Sequence, residues 1–302
     1  MRVFVAGASG AIGVPLIVEL TRLGHEVTGM TRSEAGARKI IERGAAAELV
    51  NAFDAAAVEA AVRRSKAEVV IDQLTALPKH PSELPAASPG DRQLRLEGGG
   101  NLHRAALASG ARRYIQQSSG FYLGPGSGLA DESEPLAIDA SPAVAASART
   151  YTELEARTLS QGPMEGVALR YGFFYGPGTW YHPEDGAAEE VRRRQSPIIG
   201  EGRGVWSFVH IEDAARATVA ALTSEPGTYN VVDDDPSPVS RWLPAFAQWL
   251  GAPPPPRMSE REARVVLGED AVYYGTKLRG ASNAKARSAL AFRPRPLPWL
   301  HD

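Results

Sequence analysis

Three glycines, Gly7, Gly10 and Gly13, stand in the run G-A-S-G-A-I-G, directly after the apolar segment Val3–Ala6 and at the mouth of a helical pattern. That spacing in that context suits a dinucleotide. Gly7 permits a tight turn, Gly10 lets backbone N–H groups approach a pyrophosphate with no Cβ in the way, and Gly13 allows the helix to pack closely on the strand. The loop residues Ser9, Ala11 and Ile12 would then lie against the phosphates, backed by the partial positive charge of the helix N-terminus. A purely structural turn is the competing reading. Cofactor choice is read at the end of the second strand, where NAD sites place an acid for the ribose 2′-hydroxyl. Here Thr31-Arg32-Ser33 follows Gly29-Met30, with no acid. Arg32 can pair a 2′-phosphate bidentately and the hydroxyls of Thr31 and Ser33 can add donors, so the segment favours NADP, with NAD as the alternative. A solvated arginine ahead of the next helix is the simpler explanation of Arg32.

Residue counts narrow the chemistry further. Lysine occurs only at Lys39, Lys66, Lys79, Lys277 and Lys285, so no amine lies between residues 80 and 276. The absence of cysteine excludes a disulfide framework, cysteine-ligated metal and thiol nucleophiles. A formal net charge of −2 lacks the basic footprint of a nucleic-acid binder. The histidines show no metal-ligand spacing, and no G-x-S-x-G hydrolase turn is present. No apolar run has transmembrane length and the first residues lack signal-peptide regions, so a cytoplasmic protein without a membrane partner is expected.

The elements that must position the glycine loop follow from periodicity. Strands are expected at Val3–Ala6, Glu26–Met30, Ala47–Val50, Val69–Leu74, Tyr114–Gln117 and Val167–Tyr171. Helices are expected at Ile12–Leu23, Ala35–Arg43, Ala55–Arg64, about Asp91–Ser109 and about Val144–Ser160, with a Pro-rich loop over Pro78–Pro89. This alternation predicts an α/β fold, a Rossmann-type doubly wound parallel sheet covered on both faces. After residue 171 glycines and aromatics cluster, so residues 1–171 are read as the dinucleotide-binding domain and 172–302 as a smaller substrate-binding subdomain. Pro253–Pro256 reads as a stiff connector, and the tail FRPRPLPWLHD as an extended strap on the surface.

The motifs GxxGxxG, NAFDAAAV, VVIDQLTALP, RRYIQQSSGFYLG, VALRYGFFYGPGT, WSFVHIEDAARA and GTYNVVDDDPSP occur in an order and spacing that resembles the extended short-chain dehydrogenases/reductases, the NAD-dependent epimerase/dehydratase-like proteins. The resemblance runs over nearly the whole chain. It implies that Phe53 and Asp54 lie near the adenine, and that Leu74, Thr75 and Ala76 line the ribose and nicotinamide side. It also implies that Tyr171, Gly172 and Phe173 border the nicotinamide, and that segments near 205–235 return to the dinucleotide domain with His210 in a structural role. In that family a Ser or Thr polarises the substrate carbonyl, a Tyr transfers the proton, and a Lys four residues later lowers the Tyr pKa. Ser119, with Ser118 beside it, matches the serine. Tyr151 is the only tyrosine in the expected region, but Glu155 stands where the lysine should be. A one-turn slip would instead put Ser147 or Ala145 at the Tyr position, and Arg149 or Tyr151 at the Lys position. Arg95 replaces the asparagine of the family's proton relay.

Three functions remain open on this basis. The first is an atypical NADPH-dependent oxidoreductase that reduces a carbonyl on a small or polycyclic organic substrate, with Ser119 holding the oxyanion and Tyr151 giving the proton. The second is an epimerase/dehydratase acting on a sugar nucleotide, and the third a non-catalytic NADP-binding sensor. Phe173, Phe174, Tyr175, Trp180, Tyr181, His182 and Trp206, with the loop Leu77–Pro89, are expected to frame an aromatic cavity. Arg192, Arg193, Arg194 and Arg203 are the available contacts for a diphosphate, although a run of three arginines also reads as a solvated helix face. Ala- and Gly-rich faces on the helices near 91–109 and 144–160 suggest a homodimer.

Overall fold

The computed structural model describes residues 1–301. Six strands, β1 (Arg2–Ala6), β2 (Glu26–Thr31), β3 (Ala46–Leu49), β4 (Val69–Asp72), β5 (Arg113–Ser119) and β6 (Glu165–Tyr171), are joined by a seventh, Gly227–Val231, which pairs with β6. All seven run parallel, in the order Gly227–Val231, β6, β5, β4, β1, β2, β3. Strand order reverses between β1 and β4, and in such sheets the crevice at the carboxyl ends of those strands receives the ligand.

Helices cover both faces. α1 (Gly13–Arg22) buries Leu16, Ile17 and Leu20 and packs beside the helix Ile211–Ala220. α2 (Glu34–Ile41) follows β2, and α3 (Ala55–Ser65) packs on the opposite face with α5 (Gly99–Ala108). Parallel strands covered on both sides read as continuous apolar runs, as in Val69–Ile71. A third apolar cluster, rich in aromatic side chains, lies in the C-terminal part of the chain around Tyr181, Phe208, Trp242 and Phe246.

The Pro-rich segment expected as a loop is largely helical. A short 3-10 turn, Pro81–Glu83, leads into α4 (Leu84–Gln93). Pro81 and Pro85 fall in first turns, where a missing N–H removes no helical bond, and only Pro89 lies inside the helix. α4 continues through one wide turn, Leu94–Gly98, of π geometry into α5. The tail is a second departure. Phe292, Leu297 and Trp299 are buried, and Pro298–His301 forms a helical turn against the helix Val239–Trp249, because large apolar side chains outweigh the prolines between them.

The glycines read as a dimer face are used within the chain. A methyl group on Gly99 would lie 2.7 Å from Asp72 Oδ2, and one on Gly98 3.0 Å from Ala52 Cβ. Ala145 and Ala148 of α6 (Pro142–Thr158) are likewise buried in the chain's own core.

Candidate active site

The loop between β1 and α1 is shaped by its glycines. Gly7 has φ +76° and Gly10 N donates to Gly7 O at 3.0 Å. A methyl on Gly7 would run into the Gln73 carbonyl, and one on Gly13 into the backbone of Gly7 and Ala8. Ile12, at the N-cap, is apolar and offers no side-chain acceptor. The backbone N–H groups of Ala11, Ile12 and Gly13 therefore have no acceptor among the described residues. A tight glycine cradle with several free donors at a helix N-terminus fits a pyrophosphate.

The end of β2 meets this loop. Ser9 Oγ and Thr31 Oγ1 lie 2.9 Å apart, and Gly36 packs against both. Ser33 caps α2 by accepting from Gly36 N at 3.1 Å. Arg32 is exposed and has no carboxylate partner among the described residues. Asp54 caps α3 by accepting from Ala57 N at 3.0 Å, with Phe53 exposed beside it.

Beyond β4 the chain is tied down by two buried or half-buried acids. Asp72 accepts from Leu74 N and from the Tyr114 hydroxyl, both at 2.9 Å, and burial holds its carboxyl above the usual range. Thr75 is exposed. Ala76 N donates to Asp91 Oδ1 at 2.6 Å, and the other oxygen of Asp91 accepts from Arg95 Nε at 2.7 Å. The loop after β4 is thus coupled to α4.

The two serines at the end of β5 have different surroundings. Ser118 Oγ donates to Glu155 Oε1 at 2.6 Å, and Glu155 takes a bidentate pair of bonds, each 2.8 Å, from Arg170 Nε and Nη2. All three residues are buried, so Ser118 belongs to a sealed structural network and its hydroxyl is committed there. Glu155, which stands where the resemblance places a lysine, thus has its charge matched by Arg170. Ser119 Oγ only accepts, from Phe121 N at 3.4 Å, which leaves its hydrogen without an acceptor among the described residues.

Tyr151 projects from α6 into a group of tyrosines. Its ring stacks on Tyr122 at 5.7 Å, and the Tyr274 hydroxyl donates to that of Tyr122 at 2.9 Å. The Arg95 guanidinium lies over the Tyr151 ring, 5.2 Å from its centroid. Burial pushes the Tyr151 phenol up, and Arg95 opposes that shift. Sequence reasoning missed Asp91, Phe121 and Tyr274. Only the first left a local signal, as an acid four residues ahead of Arg95 on one helix.

Tyr171 is a core residue. Its hydroxyl lies 2.6 Å from Thr218 Oγ1, and burial raises it to about 12. Its ring is committed to the interior, while its backbone lies at the carboxyl end of β6. The aromatic residues expected around one cavity divide. Phe173 is stacked between Phe121 (4.0 Å) and Trp206 (4.1 Å), whereas Phe174 packs on Tyr171 and Tyr175 on Trp299. Tyr181 meets Phe208 and Trp242, and Trp180 Nε1 donates to Pro78 O. Arg192, Arg193 and Arg194 are exposed at a helix end, with Arg193 paired to Glu189. His210 caps the helix Ile211–Ala220 through Glu212 N at 3.2 Å. Among the described residues no cluster of metal-ligating side chains occurs, and no helix is long and apolar enough to cross a membrane.

Comparison with known proteins agrees with this geometry. The NAD-dependent epimerase/dehydratase family model matches residues 3–232. A Streptomyces sp. protein named 3-diazoavenalumate denitrifying reductase is 42% identical over 302 residues, covering 99% of this chain and 98% of its own. UDP-glucose 4-epimerase of Thermus thermophilus, solved with NAD, superposes with a TM-score of 0.71 at 26% identity, covering 99% of this chain and 96% of the other. The dTDP-glucose 4,6-dehydratase DesIV of Streptomyces venezuelae superposes at 0.72 with 20% identity, covering 98% and 92%. The chain is an NAD(P)-dependent oxidoreductase that belongs to the NAD-dependent epimerase/dehydratase family of the short-chain dehydrogenase/reductase superfamily.

Proposed function

We propose that this protein is an NADPH-dependent reductase of a planar aromatic substrate, and that the group it reduces is a diazo group. The observation that carries the aromatic part is the Phe121–Phe173–Trp206 stack beside Ser119, at the carboxyl ends of β5 and β6. Flat side chains stacked face to face suit a flat ligand. The diazo acceptor is taken from the full-length relative's name. NADPH is favoured over NADH by the unpaired, exposed Arg32 and the absence of an acid at the end of β2.

Gly7, Ser9, Gly10, Ala11, Ile12 and Gly13 would hold the dinucleotide, which when bound would supply the hydride. For an arenediazonium the balance is Ar–N2⁺ + H⁻ → Ar–H + N2. Hydride arriving on the outer nitrogen leaves Ar–N=N–H, whose proton must reach the ring carbon as N2 departs. The Tyr151 hydroxyl is the group for that exchange, giving its hydrogen to carbon and recovering the N–H proton. Ser119, with its free hydroxyl hydrogen, orients the reacting group. Phe53 and Asp54 flank the adenine, and Leu74, Thr75 and Ala76 the ribose and nicotinamide.

A carbonyl acceptor is the second reading, favoured by the same Ser119 hydroxyl, which is free to donate to an oxyanion. The sugar-nucleotide reading has less support, because Arg192–Arg194 lie on an exposed helix end. NADPH oxidation should be followed with an arenediazonium salt and with aromatic aldehydes and ketones, against enzyme-free controls. N2 released one-for-one with NADPH consumed supports the diazo reading. Turnover of carbonyls alone moves the assignment to the second reading. Tight cofactor binding with no turnover of either favours a sensor. A homodimer in the cytoplasm completes the proposal, and a monomeric mass in sedimentation at micromolar concentration would remove the dimer.

A further inference from the structure

The family lysine has no direct successor in α6, because Glu155 is locked to Arg170. Another cation reaches the same tyrosine from a different element. Arg95, on the wide turn Leu94–Gly98, is buried, and its guanidinium stands over the Tyr151 ring at 5.2 Å. It is aimed by Asp91, whose second oxygen holds the backbone of Ala76 in the loop after β4. Arg95 Nη1 is sealed from water with no acceptor among the described residues. A buried N–H donor left without an acceptor is costly, and an oxygen that gains negative charge nearby would relieve that cost. Wide turns of this kind recur at functional sites.

We propose that Arg95, clamped by Asp91, is the positioning residue that replaces the missing lysine, its guanidinium stabilising the phenolate left when the Tyr151 hydroxyl gives up its proton. This rests on the reading of Tyr151 as the proton-transfer group. An arginine keeps its charge throughout and does not pass the proton on, so the cation acts through its field. The groups facing Tyr151 are Arg95 and Asp91 from the α4 side, Tyr122 from the loop after β5, and Tyr274 from the helix Glu269–Thr276. Arg95 is the only cation in that set.

The test reads the phenol directly, without turnover. A trifluorotyrosine placed at position 151 lowers the titration into an accessible range, and its fluorine resonance reports the phenol's protonation in the intact protein. Arg95→Gln should raise that pKa by at least one unit, and Arg95→Lys by clearly less. Unchanged titration in Arg95→Gln, with the thermal unfolding profile preserved, overturns the proposal. If Arg95→Gln unfolds, Arg95→Met provides the second variant, because its apolar side chain keeps much of the buried volume without the charge. Loss of the guanidinium should move the same resonance's midpoint upward, and no movement counts against the proposal. Activity separates this inference from the one beneath it. Tyr151→Phe at full rate would remove Tyr151 from the chemistry while leaving the fluorine titration as an independent reading of the Arg95 field.

Discussion

Around Gly7 the chain offers backbone, and around Tyr151 it offers side chains drawn from four separate segments. The glycine loop, the first turn of α1 and the end of β2 all lie within the first 36 residues, and their geometry follows from where Cβ atoms are absent. The tyrosine site needs α4 and its wide turn for Asp91 and Arg95, the loop after β5 for Tyr122, α6 for Tyr151, and the helix Glu269–Thr276 for Tyr274. A backbone site tolerates change in every side chain that does not block it. A side-chain site can exchange one cation for another from a new direction, as Arg95 stands in for an amine that α6 lacks. The difference shows why a family can keep its cofactor while its proton-transfer residues move.

This contrast can be broken at several points. Glu155→Gln should have the largest effect, because Arg170 is left buried without its carboxylate. A loss of about 3–5 kcal/mol in urea unfolding is expected, with NADPH affinity of the folded protein little changed. Equal stability would show that the Ser118–Glu155–Arg170 network is not the scaffold of the tyrosine side. Ser119→Ala should lower kcat with a carbonyl substrate by about 10²–10³-fold while leaving cofactor binding intact. A full rate would free the end of β5 from the mechanism. Arg32→Glu acts only on the cofactor side, weakening NADPH by about 1.5–3 kcal/mol and improving NADH. Equal affinities before and after, in fluorescence titration, would show that Arg32 does not select the 2′-phosphate.

The sheet and the glycine loop were legible in the sequence because they rest on local signals. Short apolar runs ended by glycine mark the strands, and the three-residue spacing of Gly7, Gly10 and Gly13 marks the cradle. The position of Ser119 at the end of a strand was legible from the run that precedes it. Proline composition misled over residues 84–93, where Pro85 sits at a helix start, and in the tail, where Leu297 and Trp299 find a core supplied by distant residues. The partners of the tyrosine site were hidden for the same reason. Nothing near Glu155 in sequence announces Arg170, and nothing near Tyr151 announces Tyr274. Nothing in the motif around Tyr171 announces that its ring faces the interior and meets Thr218.

The most direct test of the account follows the hydride itself. NADPH carrying deuterium at the nicotinamide C4 should be turned over with an arenediazonium, and the aromatic product examined by mass spectrometry. The account predicts one NADP⁺ formed for each reduced product, with the label leaving the cofactor and N2 released in equal amount. Reduced product formed with no NADPH consumed, or label returned to unreduced substrate with no net cofactor consumed, would contradict it.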